Sequence, residues 1–111
     1  MEKKKQNGVI YTPKNIVDYM IQLTEIKLED KILEPSVGIG NFIFGLLKYI
    51  RNKYQLEGND LYNWLVNQVE GYDIDPQSIS ILKISLYNYF LNEFGFLANS
   101  FNNFKSGDSL F

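Results

Sequence analysis

The amino-acid sequence predicts an α/β fold of the doubly wound type, in which helices alternate with parallel strands. Two short apolar segments, residues 31–33 and 69–73, each run into an acidic residue, a turn and then an amphipathic segment. The first turn reads Glu-Pro-Ser-Val-Gly-Ile-Gly (residues 34–40), and the second reads Asp-Ile-Asp-Pro (residues 73–76). This alternation of strand and helix is typical of a parallel sheet.

The first element is a predicted helix that opens at Thr12 and Pro13. Thr suits an N-cap, and Pro suits the first helical position. Apolar residues then follow at helical spacing, and the predicted core face holds Ile16, Met20 and Leu23, with Val17 and Ile21 beside it. The polar segment 24–30 connects this helix to the first strand, residues 31–33.

The second helix is predicted from four apolar residues at the spacing i, i+3, i+4, i+7. These residues are Ile43, Leu46, Leu47 and Ile50, and the helix should run to about Tyr54. Residues 58–60, Gly-Asn-Asp, predict a break, and residues 61–67 could form one more short helical segment.

A long helix follows the second strand, residues 69–73. Asp75 and Pro76 suit its N-cap and first position, and Gly95 suits its end. Its predicted core face holds Ile79, Leu82, Leu86 and Phe90, while Ile81, Ile84, Tyr87 and Leu91 widen the apolar surface and suggest burial on more than one side. Residues 101–105 predict a third strand.

Three strands in this order correspond to one half of a doubly wound sheet, with the first strand at the switch point. Gly38 and Gly40 would let backbone N–H groups approach a ligand in front of a helix N-terminus. Asp73, at the tip of the neighbouring strand, could accept the hydroxyls of a ribose. Ile43 stands where a dinucleotide fingerprint needs a third small residue, and no Walker loop is present, so a nucleoside ligand without a pyrophosphate is favoured.

Composition excludes several classes of function. The sequence has 111 residues, which bounds it to one small domain. It has no Cys and no His, so thiolate chemistry, a zinc site and a histidine base are excluded. Thirteen acidic and eleven basic residues give a net charge of −2, which is not the footprint of a stand-alone DNA-binding protein. Neither a membrane span nor a signal peptide is recognisable, which favours a cytoplasmic protein.

Four motifs in order carry a resemblance to a known family. They are Gly-Val-Ile-Tyr-Thr-Pro (residues 8–13) with the following residues 16–20, then residues 34–42, 71–76 and 107–110. With them the chain resembles the N-terminal part of S-adenosylmethionine-dependent, adenine-specific (N6) DNA methyltransferases of restriction-modification systems. The resemblance implies the N-terminal half of a Rossmann-like class I methyltransferase fold and S-adenosyl-L-methionine as the cofactor.

The resemblance also implies which residues bind the cofactor. The acid of the first glycine motif, Glu34, would pair with the α-ammonium group. Ile74 would lie against adenine, and Asp108 would accept a hydrogen bond from the adenine amino group. Thr12 would meet the methionine carboxylate or line its pocket. The whole implied set is Tyr11, Thr12, Glu34, Pro35, Ser36, Gly38, Gly40, Phe42, Asp73, Ile74 and Asp108. A surface acid at Glu34 and a solvated Asp108 near the chain end are the structural alternatives, and Asp75 is expected mainly to cap its helix.

The family's catalytic loop, Asn/Asp/Ser-Pro-Pro-Tyr/Phe, is absent, because Pro13, Pro35 and Pro76 are isolated from one another. We therefore expect one partial methyltransferase domain (1–111), with an N-terminal helix region (1–30) and a cofactor-binding half (31–111). This domain should be inactive alone. We expect it to be a truncated product of a longer gene. The alternatives are a degenerate or accessory module, and a class I methyltransferase acting on RNA or protein.

The sequence also predicts two kinds of binding partner, DNA and further polypeptide. DNA would bind through the parent enzyme's missing regions. The outer edge of the first strand should be unpaired, so self-association or a complementing chain is expected there.

Overall fold

The sheet has three parallel strands in the order β1-β2-β3 within residues 14–108, which the computed structural model describes. The elements in chain order are α1 (Lys14–Thr24), β1 (Ile32–Glu34), α2 (Asn41–Tyr54), α3 (Gly58–Gln68), β2 (Val69–Asp73), α4 (Pro76–Phe94) and β3 (Phe104–Ser106). The α/β class, the parallel strands and the flanking helices confirm the predicted fold class. Thr12 and Pro13, predicted to open the first helix, lie outside the described residues.

Strand register separates the two faces of the sheet. Ile32 pairs with Val69, and Gly71 pairs with both Glu34 and Phe104. Because side chains alternate along a strand, these residues share the face against which α4 packs. The opposite face holds Leu33, Glu70, Tyr72 and Lys105, and Leu33 on it is 56% exposed. A hydrogen bond with Glu70 raises the pKa of Tyr72 on this face, and burial adds to the shift.

The second helix agrees with its prediction. Its four predicted core residues are all fully buried, and it ends at Tyr54. The further helical segment predicted at residues 61–67 is confirmed, but residues 58–60, predicted as a break, form its first turn, since Gly58 begins α3. The chain turns earlier, where Gln55 adopts a left-handed conformation (φ 57°). Burial of Leu61 and Leu65 holds the whole segment against the core.

The predicted core face of α1 is wrong. Val17 and Ile21 are the buried residues, whereas Met20 is 54% exposed. Ile16 and Leu23 are exposed as well. The reason lies on α2, where a Cβ at Gly45 would stand 2.9 Å from Ile21 Cδ1, so the absence of a side chain lets the two helices approach closely.

The long helix α4 follows its prediction at both ends. The Asp75 carboxylate accepts a hydrogen bond from the Gln77 backbone N–H, and Gly95 ends the helix with φ 63°. Its four predicted core residues are buried, but the widening residues Ile81, Ile84, Tyr87 and Leu91 are exposed. The third strand lies slightly later than predicted, because Phe101 and Phe104 are both buried but only the second enters the ladder.

Within residues 14–108, none of the helices is both long enough and apolar enough to span a membrane.

Candidate nucleoside-binding site

Three loops meet at one edge of the sheet, because parallel strands bring their carboxyl ends together. These are residues 35–40 after β1, residues 74–75 after β2, and residues 107–108 after β3. Backbone hydrogen bonds join the first and third loops to the end of β2: Val37 N–H donates to the Tyr72 carbonyl (2.9 Å), and Gly107 N–H donates to the Asp73 carbonyl (2.7 Å). The three loops therefore form one continuous rim.

Asp73 lies at the centre of this rim and bonds to all three loops. Its Oδ2 accepts a hydrogen bond from Gly38 N–H at 2.9 Å, and its Oδ1 accepts one from Asp75 N–H at 2.9 Å. Its carbonyl accepts from Gly107. The side chain is half-buried. An ionised carboxylate has about four acceptor sites, so two remain for a ligand.

The two glycines of the first loop have different reasons for lacking a side chain. Gly40 has φ 103°, and a Cβ there would lie 2.6 Å from Leu82 Cδ1, so packing against α4 excludes one. Gly38 has φ 55°, and a Cβ there would meet nothing within 4 Å among the described residues. Gly38 therefore serves the left-handed turn and keeps the rim open.

The N-terminus of α2 stands directly behind this loop. Gly40 is its N-cap, and no side chain among the described residues caps its first-turn N–H groups. Such N–H groups, together with the helix dipole, favour an anion. Phe42, in the first turn, is half-buried against the core.

Glu34 ends β1 and bends back towards its own loop. Its Oε1 accepts a hydrogen bond from Ser36 N–H at 3.0 Å, and the residue is half-buried. Pro35 and Ser36 are exposed. The carboxylate retains acceptor sites for a cationic ligand group, because one bond occupies only one of them.

The remaining predicted residues take different positions. Ile74 is 80% exposed beyond the end of β2, and Asp108 is exposed after Gly107. Tyr11 and Thr12 lie outside the described residues. Glu34, Gly38 and Asp73 lie on neighbouring loops of the same rim. None of these arrangements tests ligand contact, so the set remains a prediction.

Sequence reasoning missed Val37 as part of the site. It is buried, and its side chain lies over Gly71, where a Cβ would stand only 2.5 Å from Val37 Cγ1. This contact fixes the glycine loop over the end of β2. The available signal was weak, because the turn holds two β-branched residues, Val37 and Ile39, and the sequence does not show that only Val37 is buried.

Chemically, the rim offers carboxylate acceptors beside backbone N–H donors. Carboxylates suit an ammonium group or a pair of hydroxyls, and free helical N–H groups suit a carboxylate or phosphate. The sequence contains neither His nor Cys, so it supplies no imidazole base and no thiolate nucleophile. The arrangement suits binding of a polar ligand that carries both a positive and a negative group.

Comparison with known proteins gives a family match over most of the chain. A model of the N-6 DNA methylase family matches residues 1–101. The Type I restriction enzyme MjaVII methylase subunit of Methanocaldococcus jannaschii is 27% identical over 60 residues, which cover 54% of this chain and 10% of the relative. The chain thus spans about a tenth of that relative's length.

Solved structures show the same fold. In the cryo-electron microscopy structure of the DrdV–DNA complex, the similar region has a TM-score of 0.68 and 22% identity, covering 87% of this chain and 10% of that one. In a nuclease-deletion mutant of the Type ISP restriction-modification enzyme LlaGI with a DNA substrate mimic, the TM-score is 0.71 with 18% identity, covering 88% and 9%.

Proposed function

Because the chain belongs to the N-6 DNA methylase family, we propose that it forms the S-adenosylmethionine-binding part of an adenine-specific DNA methyltransferase of a restriction-modification system. The family implies a methyl donor. The observation that carries the proposal is the convergence of three strand-end loops at Asp73. Residues 1–111 would then be one partial methyltransferase domain, with 1–30 as its N-terminal region and 31–111 as its cofactor-binding half.

The residues on the rim fit this donor. Asp73 keeps acceptor sites for the ribose hydroxyls, and Glu34 keeps acceptor sites for the α-ammonium group. The uncapped α2 N-terminus suits the carboxylate, with Thr12 proposed beside it. Asp108 and Ile74 are proposed to meet the adenine. When bound, the donor supplies a methyl group on a positively charged sulfur.

The rest of the proposed set shapes the pocket. Gly38 and Gly40 would keep the first loop close to the ligand, and Phe42 would line the pocket near the α2 N-terminus. The remaining members of the set are Tyr11, Pro35 and Ser36.

Transfer to DNA would need residues beyond those found in this sequence. The family's Pro-Pro catalytic loop is absent from this sequence, and a net charge of −2 is not what a stand-alone DNA-binding protein carries. We propose that DNA is bound by the rest of the parent enzyme. The purified chain should incorporate no labelled methyl group into DNA above a blank, and incorporation above that blank would contradict this.

Calorimetry with a pair of ligands tests the cofactor proposal. S-Adenosylmethionine carries an α-ammonium group, whereas 5′-methylthioadenosine lacks the whole amino-acid part. E34Q should weaken binding of S-adenosylmethionine by about 10- to 100-fold, as expected when a hydrogen bond to a charged group is lost. It should leave binding of 5′-methylthioadenosine unchanged.

The matched control is E70Q, since Glu70 is an exposed acid on the opposite face of the neighbouring strand. It should bind both ligands as the parent chain does. Equal losses for both ligands in E34Q would remove Glu34 from ammonium recognition, and no binding by the parent chain would contradict the proposal itself.

We also infer that the outer edge of β1 is a contact surface for further polypeptide. Within the described residues β1 pairs only with β2, and a groove beside it is lined by Met20, Ile26, Ile32 and Phe42. Unpaired edges recruit strands. In the purified chain only a second copy is available, so light scattering should show self-association that rises with concentration and that L33K reduces. A monomer at every concentration would contradict this.

A further inference from the structure

We propose that Asp73 is a positioning residue: it fastens the glycine loop to the end of β2 before a ligand arrives, and its free acceptor sites then meet the ligand. This inference rests on the proposed function and adds a second role to a residue expected only to accept from ribose. The observation that supports the positioning role is a pair of hydrogen bonds, in which the Gly38 and Asp75 N–H groups donate to the two different oxygens of the Asp73 carboxylate.

The two bonds join segments that are far apart in the sequence. Gly38 lies 35 residues before Asp73, on the loop that follows a different strand. Asp75 lies two residues after it and caps α4. One side chain therefore sets the distance between the first loop and the start of α4.

Gly38 depends on this bond more than its neighbours do. Val37 N–H is held by the Tyr72 carbonyl, and Gly40 N–H is held by the Val37 carbonyl, so both are fixed by backbone alone. Gly38 N–H donates instead to the Asp73 side chain. Gly38 has φ 55°, and a Cβ there would have no neighbour within 4 Å in the part of the chain that the structure describes. Without the carboxylate, this N–H would lose the partner that directs it inward.

The consequence for binding differs from that of a ribose acceptor. An acceptor affects only ligands that carry the hydroxyls. A residue that holds the loop in place affects every ligand that uses the loop, because a loop that must be ordered on binding costs affinity. Ligands with and without the hydroxyls therefore separate the two roles.

Backbone amide hydrogen exchange, measured by NMR, tests the positioning role without any ligand. In D73A, Gly38 and Asp75 amides should exchange at least about tenfold faster, as local opening requires. The amides of Val37, Gly40 and Gly107 serve as internal references, because their acceptors are backbone carbonyls. D73N retains a single acceptor oxygen, so only one of the two amides should lose protection, and E70Q should change neither.

Calorimetry then compares S-adenosylhomocysteine with its 2′,3′-dideoxy analogue. D73A should weaken binding of the analogue by about tenfold or more. It should weaken binding of S-adenosylhomocysteine further still, since the hydrogen bond to the loop and those to the ribose hydroxyls are then both lost. A loss confined to the hydroxyl-bearing ligand, with unchanged exchange at Gly38, would overturn the positioning role and leave Asp73 as an acceptor only.

The outcomes also separate this inference from the proposed function. If neither ligand binds the parent chain, the cofactor proposal fails, while faster exchange at Gly38 in D73A still supports the positioning role. If D73A unfolds, its melting curve shows this. The amide exchange pattern of D73N then decides whether Asp73 holds the glycine loop in position. Uniformly faster exchange across Val37, Gly38 and Gly40 in D73N would indicate general destabilisation and contradict the proposal.

Discussion

Gly71 is the position at which one methyl group should disturb both the core and the rim. The substitution G71A places a Cβ 2.5 Å from Val37 Cγ1 and 2.7 Å from Phe104 Cδ1. Carbon atoms in favourable contact are about 3.5–4.0 Å apart, so each overlap is about 1 Å. Both neighbours are buried, and neither can move into solvent without losing its own packing.

The backbone at Gly71 cannot relieve the overlap by shifting. Gly71 is paired with Glu34 on one side and Phe104 on the other, and its N–H donates to the Asn103 carbonyl at 2.9 Å. Overpacking of this kind costs about 1–3 kcal/mol. For a domain of this size, each kcal/mol lowers the melting temperature by about 4–8 °C, so a decrease of about 4–24 °C is expected.

Thermal unfolding followed by circular dichroism measures this decrease. E70A is the matched control, since Glu70 is the preceding residue and its side chain is exposed on the opposite face. The double variant V37A/G71A removes the atom that the new methyl group meets. Its loss in free energy of unfolding should therefore be smaller than the sum of the two single losses by at least about 0.5 kcal/mol. A G71A chain that melts within about 1 °C of the parent, or a strictly additive double variant, would refute the packing of Val37 over Gly71.

Three further predictions concern single elements. D75A should lower the free energy of unfolding by about 0.5–2 kcal/mol through loss of the α4 cap, whereas S78A should cost less; equal effects in denaturant titrations would contradict the cap. I21A should cost about 2–5 kcal/mol as a buried residue, whereas M20A should stay within about 0.5 kcal/mol; the reverse order would restore the face predicted from sequence. Burial raises the pKa of Tyr62 above 10.0, so its contribution to stability is present below pH 10 and is lost as the pH rises through the folded value; Y62F should reduce the alkaline loss, and an unchanged pH profile would contradict this.

Sequence alone predicted the elements whose signals are local. The strand Val69–Asp73 was predicted with its observed bounds, and the Asp75–Pro76 pair marked the start of α4 because a cap and its helix are adjacent in the chain. The core residues of α2 followed from spacing, since a period of 3.6 residues brings them onto one face. These features depend on neighbours no more than a few residues away.

The features that sequence missed depend on distant contacts. The hydrogen bond from Gly38 to Asp73 spans 35 residues, and the packing of Val37 on Gly71 requires that the β1 loop fold back over β2. No spacing rule predicts either, because each needs the register of two parallel strands. The glycine motif and the strand-tip acid could be found, but their connection could not.

The wrong face of α1 has a related cause. The spacing of apolar residues indicates how much of a helix surface is apolar. It does not indicate which part of that surface is buried by other elements of the same chain. On α1, Gly45 of the neighbouring helix selects Val17 and Ile21 and leaves Met20 exposed. On α4, contact with β2 and β3 leaves Ile84 60% exposed. Among the described residues both helices therefore present a second apolar face that the rest of this fold leaves exposed, and that face can be identified only once the packing of neighbouring elements is known.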